Sequence, residues 1–335
     1  MQGGENCRGP NPSIDFVTNA CVVNSAVQDV DSTFDKAFCK FLEDQNGEVR
    51  ETNVGNFKRV EILLKLKGIV GDWVSSVAIR NGVKGHDARY LDDNNESQGD
   101  NGFQYYIRDC SNPHNKGGNL YDIAQLRVFG SQRLGCHNAS ADIDCLCLAP
   151  NYVTREDFFS SFVDLLRQRT DTSLVFGVPA AYTPVVKFNL DDQPIDMLFV
   201  SLSTPHVPRK SELDISYLKG LDHRSIRSIN GPRVAEWIVK LVPDENNFRS
   251  ALQAIKLWAK RRGIFSNVLG FLGGVNYAIM VVFICQRYPS ASPATLVSNF
   301  SACLFSGSGL IQFSFLLRRA TPAKKSEIYL CGIRN

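Results

Sequence analysis

The apolar positions of this chain follow two periods, and the change from one to the other outlines its architecture. From Phe57 to Ile79, the residues Val60, Leu63, Leu64, Ile69, Val70, Trp73, Val74 and Val77 recur at helical spacing, which predicts a long amphipathic helix. Shorter runs, Leu126 to Phe129 and Ala141-Asp142-Ile143-Asp144, read as strands, the second with strict alternation. Thr154-Arg155-Glu156-Asp157 reads as a helix start with Thr154 as N-cap, and Phe158, Phe159, Phe162, Leu165 and Leu166 follow as one stripe, read as core. Pro184 to Leu190 and Ile195 to Leu202 read as two strands joined by the turn Asp191-Asp192-Gln193-Pro194. From His206 onward the pattern is helical, over Arg233 to Leu241, Glu245 to Arg262 and Gly270 to Gln286. A mixed sheet followed by helices predicts an α/β unit with an all-α second domain and a cleft between them.

Some stretches carry no such pattern. Residues 1 to about 30 are polar and are expected to lack fixed structure. Asn81 to Leu120, with the run Asp92 to Gly102, reads as a loop or insertion. Ile264 to Cys285 is apolar for about the length of a membrane span. Ser266, Asn267 and Asn276 interrupt it and its glycines weaken it as a lone span, so it is read as a buried helix and no membrane is expected.

Composition narrows the class without naming it. At 335 residues, 44% hydrophobic and 21% charged, the chain has material for two compact globular domains. A formal charge of +3 does not by itself demand nucleic acid. Its distribution says more: acidic residues crowd the first fifty positions and Asp92 to Asp100, whereas Lys256, Lys260, Arg261 and Arg262 cluster. A phosphate backbone would need such a cluster, and a solvated helix face would account for Lys260 to Arg262 equally well. The ten cysteines include no CxxC pair, and Met1 to Glu5 lacks the features of a secretory signal, so a reduced intracellular compartment is expected. Cys145 and Cys147 are read as buried thiols. The five histidines show no metal spacing.

Three carboxylates carry the candidate chemistry. Side chains two apart on a strand share a face, so Asp142 and Asp144 present paired oxygens while Ile143 and Cys145 face the other way. Asp196 lies in a second strand with the same alternation, and adjacent strands would bring all three to one point. Hard divalent ions take oxygen ligands and keep positions open for phosphate, which is what phosphoryl or nucleotidyl transfer requires. Upstream, Phe129-Gly130-Ser131 forms a glycine-serine turn directly after a strand, where backbone amides and a hydroxyl can approach an anion.

These residues carry a resemblance. Phe129 to Leu146 (FGSQRLGCHNASADIDCL), Ser225 to Val234 (SIRSINGPRV) and Ala254 to Val275 (AIKLWAKRRGIFSNVLGFLGGV) closely resemble the eukaryotic poly(A) polymerases, of the DNA polymerase β type nucleotidyltransferase superfamily. The likeness runs from about Val128 to about Phe300. It implies a mixed-sheet nucleotidyltransferase catalytic domain over residues 46–204, with an insertion at about 83–117, and a mostly α-helical central domain, incomplete, over 205–305. Residues 1–45 would be a polar extension and 306–335 an unassigned tail, so that the chain is expected to be C-terminally truncated relative to the family, without its RNA-binding region.

The reaction so implied is transfer of AMP from ATP to an RNA 3′ end, in mRNA polyadenylation, with Asp142, Asp144 and Asp196 as ligands of two Mg²⁺ or Mn²⁺ ions. By the same likeness Phe129, Gly130, Ser131, Asn138, Lys187, Asn230, Lys256, Phe265, Asn267, Gly274 and Val275 fall on nucleotide-binding positions. Lys256 matches a triphosphate contact, Asn230 a ribose contact, and Lys187 and Asn267 positions near the base. A nuclear location, a monomeric state and 3′-end processing factors as partners are further expectations of the resemblance. A terminal uridylyltransferase or another RNA nucleotidyltransferase remains an alternative, as does an inactive truncated nucleotide-binding form. Two departures stand out: Phe265 where most of the family has tyrosine, and Ser140 where glycine is usual.

Overall fold

A computed structural model describes residues 32–45, 47–83, 121–208 and 213–305. The polar residues before Ser32, the Asp92 to Gly102 run and the tail from Ser306 lie outside the described residues. Helix α1 spans Ser32–Asp44 and α2 Asn53–Arg80. Strands β1 (Tyr121–Asp122) and β2 (Gln125–Val128) lead to the short helix α3 (Gly130–Arg133) and then β3 (Ile143–Ala149). Helix α4 (Arg155–Asp157) runs through a π-helical turn (Phe158–Phe162) into α5 (Val163–Gln168). Strands β4 (Thr172–Val178), β5 (Val185–Leu190), β6 (Gln193–Ser201) and β7 (Val207–Pro208) precede helices α6 (His223–Leu241), α7 (Glu245–Arg261), α8 (Gly274–Arg287) and α9 (Pro293–Phe305).

Five strands form one mixed sheet in the order β2-β3-β6-β5-β4, with β3 and β6 parallel and the other pairs antiparallel. Strand β3 is covered on both faces, which explains why it reads as a nearly continuous apolar run. Ile143, Cys145 and Cys147 face a core made by α2 with Phe158, Phe162 and Leu166; Leu146 and Leu148 face a second core with Val200, Tyr217 and Ile229. Both thiols are fully buried, and burial raises their pKa.

Several expectations shift in detail. The buried face of α2 runs Ile62, Leu66, Ile69, Val70, Trp73, Val74 and Val77, while Leu64 lies far enough round the helix to stand exposed. Thr154 and Asp157 form the expected reciprocal cap, each satisfying a backbone amide of the other. The hairpin turn is tighter than the four residues read from sequence: Asp191 and Asp192 take φ of 48° and 63°, a two-residue left-handed turn, and Gln193 and Pro194 already belong to β6.

Helix α6 begins at His223, ten positions earlier than its periodicity suggests, and carries Pro232 inside. Asn230-Gly231-Pro232 looks like a turn, but burial of Ser228, Ile229, Asn230 and Pro232 offsets the one missing N–H bond. Helix α8 starts at Gly274, after a left-handed Gly270. The apolar segment 264–285 is therefore broken, and among the described residues no helix is long and apolar enough to cross a membrane. Helix α1, unforeseen in the polar extension, sets Leu42 against Val49 and Leu257 and accepts the Ala294 amide on Asp35 at 3.1 Å.

Candidate active site

The parallel pairing of β3 with β6 makes Asp144 and Asp196 register partners, and Asp142 sits immediately before β3 on the same side as Asp144. Asp142, Asp144 and Asp196 each offer an oxygen within 4.8 Å of the others. Lys187 is the register partner of Asp196 on β5, and its ammonium pairs with Asp196 Oδ2. Burial, then the charges of Asp142 and Asp196, push the Asp144 carboxyl up to about 7. An all-oxygen set of mutually repelling carboxylates fits a hard divalent cation, which would remove the repulsion and take the oxygens as ligands. The residues present therefore suit Mg²⁺ or Mn²⁺.

The glycine-serine turn is built onto the same strand. The Phe129 amide donates to the Asp144 carbonyl at 3.0 Å, so the turn starts where the carboxylate leaves the backbone. Gly130 has φ of 60°, and a Cβ there would stand 2.0 Å from Asp144 Oδ2. Only glycine meets both demands. Ser131 follows in α3, half-buried.

Helix α7 supplies a basic wall. Phe248, Leu252, Ile255 and Ala259 form its buried stripe, as their spacing predicts. Arg249 donates to the Leu134 carbonyl at 3.3 Å and Lys256 to the Cys136 carbonyl at 3.1 Å. Asn230 on α6 is buried and accepts from Arg233 at 3.3 Å; its neighbour Gly231 lies against the Phe129 ring, 2.9 Å from where a Cβ would stand. The Phe265 ring stacks on Tyr277 at 5.7 Å, with Lys260 Nζ 5.6 Å from its centre. Asn267 and Gly273 approach each other, Gly274 faces the Phe265 ring, and Val275 is exposed.

The fold thus gathers Asp142, Asp144, Asp196, Lys187, Phe129 and Gly130 at one place. Asn230 adjoins that set through Gly231, and Lys256 acts on Asp144 through its charge. Phe265 and Gly274 form a second group, with Asn267 beside Gly273 and Lys260 Nζ 5.6 Å from the Phe265 ring centre, and Val275 follows Gly274 at the start of α8. Asn138 turns its amide to the Glu48 carbonyl at 3.0 Å. Sequence reasoning missed the buried polar residues Arg59, Gln132 and His137 beneath the site. The one available signal was Arg59, a charge three residues before Ile62 on the apolar face of α2.

Two family models match in tandem: "Poly(A) polymerase nucleotidyltransferase domain" over residues 101–242 and "Poly(A) polymerase central domain" over residues 247–310. The chain belongs to the poly(A) polymerase family. It is 37% identical over 245 residues to "Poly(A) polymerase" of Dictyostelium discoideum, covering 72% of this chain and 26% of that protein. It is 38% identical over 265 residues to "Nuclear poly(A) polymerase 4" of Arabidopsis thaliana, covering 78% of this chain and 31% of that one. The chain thus spans under a third of the length of these poly(A) polymerases. Among solved structures, "structure of GLD-2/RNP-8 complex" matches at a TM-score of 0.42 and 13% identity, covering 75% of this chain and 57% of that one. The mixed sheet followed by helices is the α/β nucleotidyltransferase architecture that the family resemblance implies.

Proposed function

We propose that this protein is a polynucleotide adenylyltransferase that transfers AMP from ATP to the 3′-hydroxyl of RNA, releasing pyrophosphate, in mRNA polyadenylation. The observation that carries the reading is the cluster of Asp142, Asp144 and Asp196 beside Gly130-Ser131, in a chain of the poly(A) polymerase family. Two divalent ions, Mg²⁺ or Mn²⁺, held by these carboxylates would lower the pKa of the attacking hydroxyl and neutralise charge on the triphosphate.

The chain's own residues position the reactants. Amides of the turn after Phe129 and the Ser131 hydroxyl face the triphosphate, and Lys256 adds a positive charge to it. Lys187 and Asn267 serve the base and Asn230 the ribose, since an amide offers both donor and acceptor. The backbone at Gly274 and Val275 approaches the nucleotide at the start of α8, against the Phe265 ring. Asn138, bonded to the Glu48 carbonyl, supports the loop before Asp142. In this reading residues 46–204 are the catalytic domain and 205–305 part of the central domain. A nuclear location accords with the relatives named nuclear poly(A) polymerases, and 3′-end processing partners are proposed with the same reading.

The test is to incubate the full chain with an RNA primer, Mg²⁺ or Mn²⁺, and each nucleotide in turn. Extension with ATP is the expected result. Preferred extension with UTP, or none with any nucleotide, contradicts the reading. Asparagine at any one of the three aspartates should lower kcat by about 10³-fold, with a far smaller change in ATP binding.

A further inference from the structure

Arg59 stands on the sheet-facing side of α2 and is 1% exposed. A buried guanidinium has five donors to satisfy and a charge to compensate. Its Nε meets Glu51 Oε2 at 3.2 Å, and the side chain of that glutamate is 7% exposed. The other donors converge on the candidate site. Nη2 lies 3.1 Å from the Asn138 carbonyl, 3.3 Å from that of Ala139 and 2.7 Å from that of Ala141, and Nη1 lies 3.4 Å from Gln132 Oε1. The three carbonyls belong to the loop whose next residue is Asp142. Gln132 directly follows Ser131. One buried cation therefore ties the glycine-serine turn to the loop that delivers the first carboxylate.

We propose that Arg59 is a positioning residue for the carboxylate site, an inference that rests on the metal-binding reading of Asp142, Asp144 and Asp196. Arg59 touches none of the reacting groups and acts through the loop. Asp142 needs an external hold because the paired residues of β3 begin only at Ile143, so no strand ladder fixes it against its repulsion from Asp144. The planar fork of arginine reaches several carbonyls at once, which the single ammonium of lysine does not. Gln193 is a second hold, its Nε2 donating to the same Ala141 carbonyl at 3.0 Å.

Mn²⁺ binding to the full chain, followed by electron paramagnetic resonance with thermal unfolding measured alongside, tests the proposal without relying on activity. Arg59→Lys keeps the charge opposite Glu51 and is expected to weaken Mn²⁺ binding by about 10- to 100-fold in the folded protein. Gln193→Ala, at a half-buried side chain, is expected to keep the wild-type melting temperature and to weaken Mn²⁺ binding in the same direction by less. If Arg59→Lys does not fold, Gln193→Ala decides. Folded variants that bind Mn²⁺ as tightly as the wild type overturn the positioning role alone. A wild-type chain that binds no Mn²⁺ overturns the metal-site reading, and this inference with it.

Discussion

Lys187 and Asp196 face each other across β5 and β6, and the lysine ammonium closes on a carboxylate oxygen that also belongs to the three-aspartate cluster. The lysine is thus a resident counter-charge that competes with any incoming cation. Lys187→Met is expected to tighten Mn²⁺ binding by about three- to tenfold, because a positive neighbour is removed from the ligand set. It should also lower the melting temperature when no divalent ion is present. Titration with Mn²⁺ and melting curves with and without the ion check both signs; weaker Mn²⁺ binding would count against the counter-charge role.

Gly130→Ala combines two penalties. A left-handed φ costs an L-residue about 1–2 kcal/mol, and the new methyl would meet Asp144 Oδ2 at 2.0 Å. The protein is expected to fold with reduced stability and to lose nucleotide and Mn²⁺ binding together, since the carboxylate must move. Denaturant unfolding and Mn²⁺ titration measure the two effects separately.

His137 gives the fold a sensitivity to acid. Burial, then the charge of Arg59, pushes its pKa down to about 4, and its Nε2 lies 2.8 Å from Asn56 Oδ1. The unfolded chain protonates near pH 6.5 and the folded chain only near 4, so stability is lost as pH falls through that interval. Between about pH 7.5 and 5 the loss from this residue is about 2 kcal/mol. Urea unfolding at both pH values should show a drop larger by about that amount in the wild type than in His137→Gln. Equal drops would assign the sensitivity elsewhere.

Asp222 caps α6 by accepting the Ser225 amide at 2.9 Å, and both its oxygens take Arg155 nitrogens at 2.9 Å. The Arg155 hydrogen bonds, foremost, hold its carboxyl well below the usual range. The stability it contributes is therefore present above the unfolded value of about 4 and is lost as pH falls toward the folded one. Asp222→Ala should cost about 1 kcal/mol at about pH 7, chiefly through the lost cap, because solvent screens the half-exposed ion pair. Arg155→Ala at neutral pH should cost less.

Phe265 stacks on Tyr277 at a position where the family resemblance leads one to expect a tyrosine. If that hydroxyl serves a phosphate, Phe265→Tyr is expected to lower the KM for ATP by about three- to tenfold, one hydrogen bond's worth. An unchanged KM would mean that ring packing is the whole role of this position.

How much of the fold and the site is legible in the sequence depends on whether the cue is local. The Thr154 cap, the Asp142/Asp144 pair and the buried stripe of α7 follow from spacing alone, and each stands where the spacing puts it. The start of α6 is hidden because Asn230-Gly231-Pro232 has turn chemistry, which tertiary burial overrides. Arg59 is only half visible: its place three residues before Ile62 puts a charge on the apolar face of α2, but the turn and loop it holds lie more than seventy residues away. Helix α1 does carry a stripe at helical spacing, Phe34, Phe38, Phe41 and Leu42, which is masked by the polar composition of the extension around it.

The two-residue turn at Asp191-Asp192 sets a parity rule for β6. Successive residues of that strand point to opposite faces, so a one-residue slip of β6 against β5 and β3 would swing Asp196 into the apolar interior and set Ile195 or Met197 beside Asp144. A chain that drifted by one would keep its sheet and forfeit its chemistry.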